Sequence, residues 1–156
     1  MLTAHQHTST SAHQYSYLCH MLLIGTLLLI LSYLLGSIPT AVWIGQWFYG
    51  LDVREHGSGN AGATNTFRVL GKRAGVPVLL IDALKGWVSV MLPVWFLSAG
   101  DSPVLFENFR VLCGSAAVVG HVFPVFAGFR GGKGVATLLG VAIGMQPIAA
   151  LCCIGL

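Results

Sequence analysis

From Met21 to Gly50 the chain runs thirty residues without one charged side chain. A helix needs about 20 such residues to cross the hydrocarbon core of a bilayer. In that medium every backbone polar group must be satisfied within the protein, so the run is expected to be helical. Thirty residues are more than one upright crossing uses, and Gly36-Ser37-Ile38-Pro39 lies near their middle. Proline removes a backbone donor and frees a carbonyl one turn earlier, which predicts a kink or break at that point.

Three more apolar runs follow: about 76 to 98, about 111 to 126, and 135 to the end. Their length and the lack of strand-like alternation predict an all-α, polytopic transmembrane helical bundle of about four spans. Only 8% of the residues are charged and 55% are hydrophobic, against roughly 25% charged in soluble domains. The net charge of +3 is scattered, with no basic helix or arginine tract, which argues against a nucleic-acid partner. Residues 1–20 are rich in His, Ser, Thr and Gln and hold no Lys or Arg. They lack the basic start of a secretory signal and read as a polar, disordered leader ahead of a membrane domain over 21–156. His5, His7 and His13 belong to that tail rather than to a metal site. Met21, at the head of the first apolar run, is a candidate for the true start. Cys19, Cys113, Cys152 and Cys153 form no C-x-x-C and lie in or beside apolar runs, as buried or inert thiols do. No metal or redox cofactor is suggested.

Positive charge sorts the connectors. The first holds Arg54, Arg68, Lys72 and Arg73 against Asp52 and Glu55; the second holds Asp101 and Glu107 with Arg110 at its edge; the third holds Arg130 and Lys133. The positive-inside rule puts the first and third in the cytoplasm, and these are the two loops with unusual chemistry.

The third reads Gly-Phe-Arg-Gly-Gly-Lys-Gly-Val-Ala-Thr over 128–137. Such glycines let main-chain N–H groups converge on an anion, two cations add charge, and the helix expected from Val135 points its positive end at the loop. A tight positive-inside turn accounts for the same residues. A nucleotide-binding P-loop does not, because position 127 is Ala where that pattern needs Gly, position 134 is Gly where it needs a hydroxyl, and no strand precedes. The first connector contains Ser58-Gly-Asn-Ala-Gly-Ala-Thr-Asn-Thr-Phe-Arg68. Small residues there permit close backbone approach, carboxamides and hydroxyls offer hydrogen bonds, and Arg68 can grip phosphate oxygens in pairs. A capped amphipathic surface helix is the lesser, structural alternative for that segment.

Taken with Gly36-Ser-Ile-Pro-Thr40, Asp82-Ala-Leu-Lys-Gly86 and His121-Val-Phe-Pro124, these two segments occur in an order that resembles the bacterial acyl-phosphate:glycerol-3-phosphate acyltransferase (PlsY) family. The resemblance implies a multi-pass enzyme of the bacterial inner membrane with its site facing the cytoplasm. Its substrates would be glycerol 3-phosphate and acyl phosphate, and its product lysophosphatidic acid for phospholipid biosynthesis. Carried over by position, Ser58, Arg68 and His121 are the catalytic candidates. Asn60, Asn65, Arg130, Gly131, Gly132, Lys133 and Gly134 are the substrate and phosphate-binding ones. Arg68 and Lys133 would supply charge, loop N–H groups would bind phosphate oxygens, and Ser58 would position substrate or relay a proton.

His121 is either a general base for the glycerol hydroxyl or a helix-end residue bonded to a nearby carbonyl. Asp82 and Lys85 share a helical face, where mutual neutralisation is favoured over substrate contact. Gly140 and Gly144 read as a helix-packing G-x-x-x-G. The family's chains run longer and carry a further cytoplasmic motif with His, Asn and Glu, whereas this chain stops at Leu156 within an apolar run. The expectation is therefore a C-terminally truncated member, with an inactive remnant or a small anion channel or transporter as the alternatives.

Overall fold

The computed structural model describes residues 2–98 and 102–155, all in helices or the turns between them. Asp101 and the side chains of His5, His7, His13 and Cys153 lie outside the described residues. Helix α1 runs Leu2–Gly36 and α2 Thr40–Tyr49; after a 3-10 turn at Val53–Glu55 come α3, Ala63–Leu70, and α4, Lys72–Phe96. Then follow α5, Pro103–Val122, a 3-10 turn at Val125–Ala127, α6, Val135–Met145, and α7, Pro147–Gly155. The α1 helix continues through the polar stretch that composition sets apart, and there the Tyr17 hydroxyl donates to the Ser98 carbonyl at 2.8 Å.

The first apolar run breaks where proline predicts. Between α1 and α2 the backbone turns through Ser37, whose N–H donates to Tyr33 O at 2.9 Å, and through Thr40, whose N–H donates to Ile38 O at 3.0 Å. Together the two helices make a 36-residue apolar span, Gln14–Tyr49, and two more spans, Lys72–Phe96 and Pro103–Ala127, are each 25 residues long. The last apolar run differs from a single expected crossing, because it is split at Gln146. Pro147 cannot donate to the α6 ladder and pushes the residue before it away from helical geometry. The second connector is also shorter than its charges imply. Proline at the first position starts α5 at residue 103, so Glu107 and Arg110 sit on the helix as an i,i+3 ion pair at 3.0 Å.

Helix α4 is the centre, packed against α6, α5, α3, α1 and α2, while α1 also lies along α5. Small residues let these axes approach. A methyl added at Gly140 of α6 would strike the Ala83 carbonyl of α4, and one at Gly36 of α1 would strike Ala117 of α5. Gly144 packs against Val90 and Trp87, so the G-x-x-x-G pair is a packing face, as expected. Leu23, Leu27, Leu80, Leu84, Val119 and Leu138 are exposed on the outside of the bundle, where lipid is their solvent. Two apolar clusters fill the inside. One joins α1, α4 and α5 through Leu28, Leu92 and Cys113. The other ties Val53 of the first connector, which is fully buried, to Ala41 of α2 and Val78 of α4. That second cluster fastens a polar loop to the end of an apolar bundle, and it fixes where the site forms.

Candidate active site

The first connector is ordered from within by Asn65, a 1% exposed carboxamide on α3. Its Nδ2 donates to the carbonyls of Val53 at 2.8 Å and His56 at 3.1 Å, and its Oδ1 accepts the Ser58 N–H at 2.9 Å. Gly57 and Gly59, both with positive φ, let the backbone turn on either side of Ser58. The two polar loops are then tied together. Asp52 pairs with Arg54 at 2.6 Å, and Arg54 Nη1 reaches across to the Ala127 carbonyl at 2.8 Å. The hydrogen bonds from Arg54 hold the Asp52 carboxyl below the usual carboxylate range. The loops share one end of the bundle, as the charge sorting predicts.

Between them lies a cavity of about 250 Å³. Ser58, Asn60, Asn65 and Arg68 line it from the first connector and α3; Lys133, Gly134, Val135 and Ala136 line it from the third loop and α6; His121 and Asp82 line it from α5 and α4. Leu79 and Leu139 give it an apolar wall. Arg68 and Lys133 are exposed and make no ion pair among the described residues, so both cations are free for an anion. The start of α6, following Gly134 in the left-handed region, opens into the same space and adds the positive end of a helix.

Seven of the ten residues expected from sequence meet in this cavity, and three do not. Arg130 is exposed and stands outside it, near enough to Asp52 to contribute to the lowering of that carboxyl's pKa. Gly131 and Gly132 are also outside the lining. The Gly132 N–H is already donated to the His121 carbonyl at 3.1 Å, and a methyl at Gly132 would strike the His121 ring. A methyl at Gly131 would meet the His121 carbonyl and Pro124. Their smallness serves close packing, Gly132 against the imidazole and Gly131 against the backbone carbonyls of His121 and Val122, and the Gly132 N–H is not turned to the cavity. Asn65 lines the wall, but its hydrogen-bonding capacity goes to the loop; it places Ser58.

His121 bonds through its backbone rather than its side chain. Its carbonyl accepts from Gly132, while its buried imidazole lies against the cavity with Nδ1 3.7 Å from Asp82 Oδ1, beyond hydrogen-bond reach. Asp82 is the residue the sequence underrated. The expected pair with Lys85 forms, at 2.9 Å from Nζ to Oδ1, and Lys85 Nζ also donates at 3.0 Å to the Ile38 carbonyl at the α1–α2 break, which accepts the Thr40 N–H as well. Asp82 nevertheless also lines the cavity, so pairing with Lys85 does not remove it from the cavity wall. The available signal was the rarity of an acid within an apolar span, which marks function by default.

Fold and cavity together define a multi-pass helical membrane protein with a cationic, partly apolar pocket where two loops meet at one end of the bundle. The chain belongs to the glycerol-3-phosphate acyltransferase family, whose sequence model matches residues 26–156. It is 53% identical over 129 residues to a glycerol-3-phosphate acyltransferase of Streptococcus pneumoniae strain Taiwan19F-14, and 54% identical to that of strain Hungary19A-6. Each match covers 83% of this chain and 57% of the relative, so the chain spans a little over half of the length of these proteins. Among solved structures it resembles PlsY (YgiH), an integral membrane glycerol 3-phosphate acyltransferase. The glycerol 3-phosphate form matches with a TM-score of 0.73 and 42% identity, over 83% of this chain and 62% of that one. The lysophosphatidic acid form matches with a TM-score of 0.69.

Proposed function

We propose that this chain transfers an acyl group from acyl phosphate to the 1-hydroxyl of sn-glycerol 3-phosphate, yielding lysophosphatidic acid and phosphate for phospholipid synthesis. The observation that carries the reading is the convergence of Arg68, Lys133 and the start of α6 on one cavity. These are three sources of positive potential without counter-charges of their own, suited to substrates that each bear a phosphate. Family membership supports the acceptor, because a relative of the same fold is described in its glycerol 3-phosphate form. Leu79, Val135 and Leu139 provide apolar surface for the first carbons of an acyl chain.

In the reaction the glycerol hydroxyl oxygen bonds the acyl carbonyl carbon and the bond from that carbon to the phosphate oxygen breaks. The phosphate leaves with its electron pair, and the hydroxyl proton passes to a base. His121 is the base in this reading, supported by its position at the cavity with Gly132 packed against its ring. Arg68 and Lys133 stabilise the charge gathering on the leaving phosphate, and Ser58 orients the acceptor. The loops face the cytoplasm of a bacterial inner membrane in this reading, as the positive-inside rule places them.

Membranes containing the chain, given labelled glycerol 3-phosphate with either acyl phosphate or acyl-CoA, test the assignment. Lysophosphatidic acid forming from acyl phosphate alone is the expected result. Equal use of acyl-CoA refutes the donor, and no product from either donor refutes the activity for this chain. In a cysteine-free background, a cysteine at Gly59 should be protected from an impermeant external thiol reagent and one at Ser102 labelled. The opposite pattern would invert the topology.

A further inference from the structure

Within the cavity the polar groups are graded. Ser58, Arg68 and Lys133 are exposed at the mouth, whereas Asp82, 1% exposed, and His121, 6% exposed, are at the buried end. An acid in a phosphate-binding cavity repels the phosphate, so its presence there needs its own account. Lys85 takes only part of its capacity. Nζ stands 2.9 Å from Oδ1 as an ion pair and donates to the Ile38 carbonyl at 3.0 Å, which holds the carboxylate in place by charge, while both carboxylate oxygens are buried without a hydrogen-bond partner among the described residues. The His121 Nδ1 is too far away to donate, and the neighbouring Leu79 and Leu139 have nothing to give. A buried oxygen left without a donor costs about 1–3 kcal/mol, more when charged. In a cavity, the missing donor is supplied by whatever binds there.

We propose that Asp82 accepts a hydrogen bond from the 2-hydroxyl of the glycerol phosphate, fixing which end of a polyol phosphate faces inward and which hydroxyl stays unacylated. The inference rests on the acyl-transfer reading above. With the phosphate held by the cations at the mouth, the rest of the acceptor extends toward the buried end, where the Asp82 carboxylate has oxygens without a hydrogen-bond donor. The reacting 1-hydroxyl has to meet an acyl donor that carries its own phosphate and lipid tail, so it belongs on the apolar, open side. The 2-hydroxyl is the one that benefits from a fixed partner away from that side. A site built to hydrogen-bond a hydroxyl also rejects analogues that lack it, because its own acceptor is then left unpaired. Asp82 would thus set both specificity for a diol and regiochemistry.

Calorimetry of the full chain in lipid nanodiscs tests this, using sn-glycerol 3-phosphate, propane-1,3-diol monophosphate, which lacks the 2-hydroxyl, and inorganic phosphate. The wild type should bind glycerol 3-phosphate at least about tenfold tighter than the diol phosphate, equivalent to about 1.4 kcal/mol. Asp82→Ala should bind the two organic phosphates alike and bind inorganic phosphate no more weakly than the wild type, since the cations at the mouth are untouched and a repelling charge is gone. Because that change strands the Lys85 charge, the Asp82→Ala/Lys85→Met variant is run beside it and should lose discrimination in the same way. If either variant keeps a tenfold preference, or the wild type has none, the role of Asp82 is overturned and the phosphate site stands. If the wild type binds none of the three, the acyl-transfer reading falls with it. Where turnover is measurable, the same variants should release 2-acyl product, trapped before migration. Unchanged regiochemistry in an active variant would also overturn the assignment.

Discussion

Replacing Asn65 with Ala tests whether the first connector is a built loop or a passive link. The side chain makes three hydrogen bonds, and their surroundings set the cost of losing them. Val53 is fully buried and, without Asn65, its carbonyl keeps only the long bond from the His56 N–H at 3.4 Å, so the loss there costs about 1–2 kcal/mol. His56 and Ser58 are exposed, water can replace the lost partners, and each bond there is worth roughly 0.5–1 kcal/mol net. The sum is about 2–4 kcal/mol, and it falls on residues 53–58 rather than on the bundle, because the apolar clusters among α1, α4 and α5 do not include Asn65. At 1.4 kcal/mol per decade, amide exchange in that segment should rise by about 30-fold to several hundred-fold while α4 and α5 keep their protection. Acyl transfer should fall by at least about tenfold as Ser58 loses its anchor. Asn65→Asp should do no better, since a second carboxylate oxygen would face the Val53 carbonyl. Exchange measured by mass spectrometry in nanodiscs decides it. Unchanged exchange over 53–58 together with normal turnover would refute the idea that Asn65 builds the site.

Arg68→Lys should lower turnover at least about tenfold, some 1.4 kcal/mol of transition-state stabilisation, because an ammonium cannot bind two phosphate oxygens side by side; activity within about twofold of wild type would make Arg68 a topological anchor. Gly132→Ala should lower kcat with both substrates by displacing His121, whereas Lys133→Met should mainly raise the KM for glycerol 3-phosphate; identical kinetic signatures would show that the loop acts as one unit. For the Asp52–Arg54 tie the folded pKa lies below the ordinary 3.8, so its stabilisation is complete above that pH and is lost as the pH falls through the lower folded value. A spin label at Glu55 should therefore be equally immobile from about pH 7 down to about pH 5 and loosen only below 3.8, and a transition centred near neutrality would contradict the assignment.

Several features were readable from local chemistry. The long uncharged runs required membrane helices, Pro39 marked the break between α1 and α2, and Gly140 and Gly144 marked a packing face. The cations sorted two loops onto one end. Each of these follows from properties that a residue carries wherever it stands: the cost of charge in lipid, the missing N–H of proline, the missing side chain of glycine. The resemblance then pointed to seven residues that do share the cavity.

What sequence alone could not decide was how each polar group would use its hydrogen bonds. Arg130 and Lys133 are equivalent cations in the chain, yet one lines the cavity and the other stands outside it on the Asp52 side. Asn65 looked like a ligand for substrate, but the carbonyls of Val53 and His56 take its donors. Gly132 looked like part of a phosphate cradle, and its N–H is given to His121. Asp82 looked like half of a neutral pair, and the pairing leaves its buried carboxylate, at the cavity lining, without a hydrogen bond among the described residues. A hydrogen bond saturates and is directional, so whether a group remains available for substrate depends on partners far away in sequence. Composition and periodicity determined a membrane bundle with two polar loops at one end; the packing of α3, α4, α5 and α6 determined which of their side chains are left unpartnered to do chemistry.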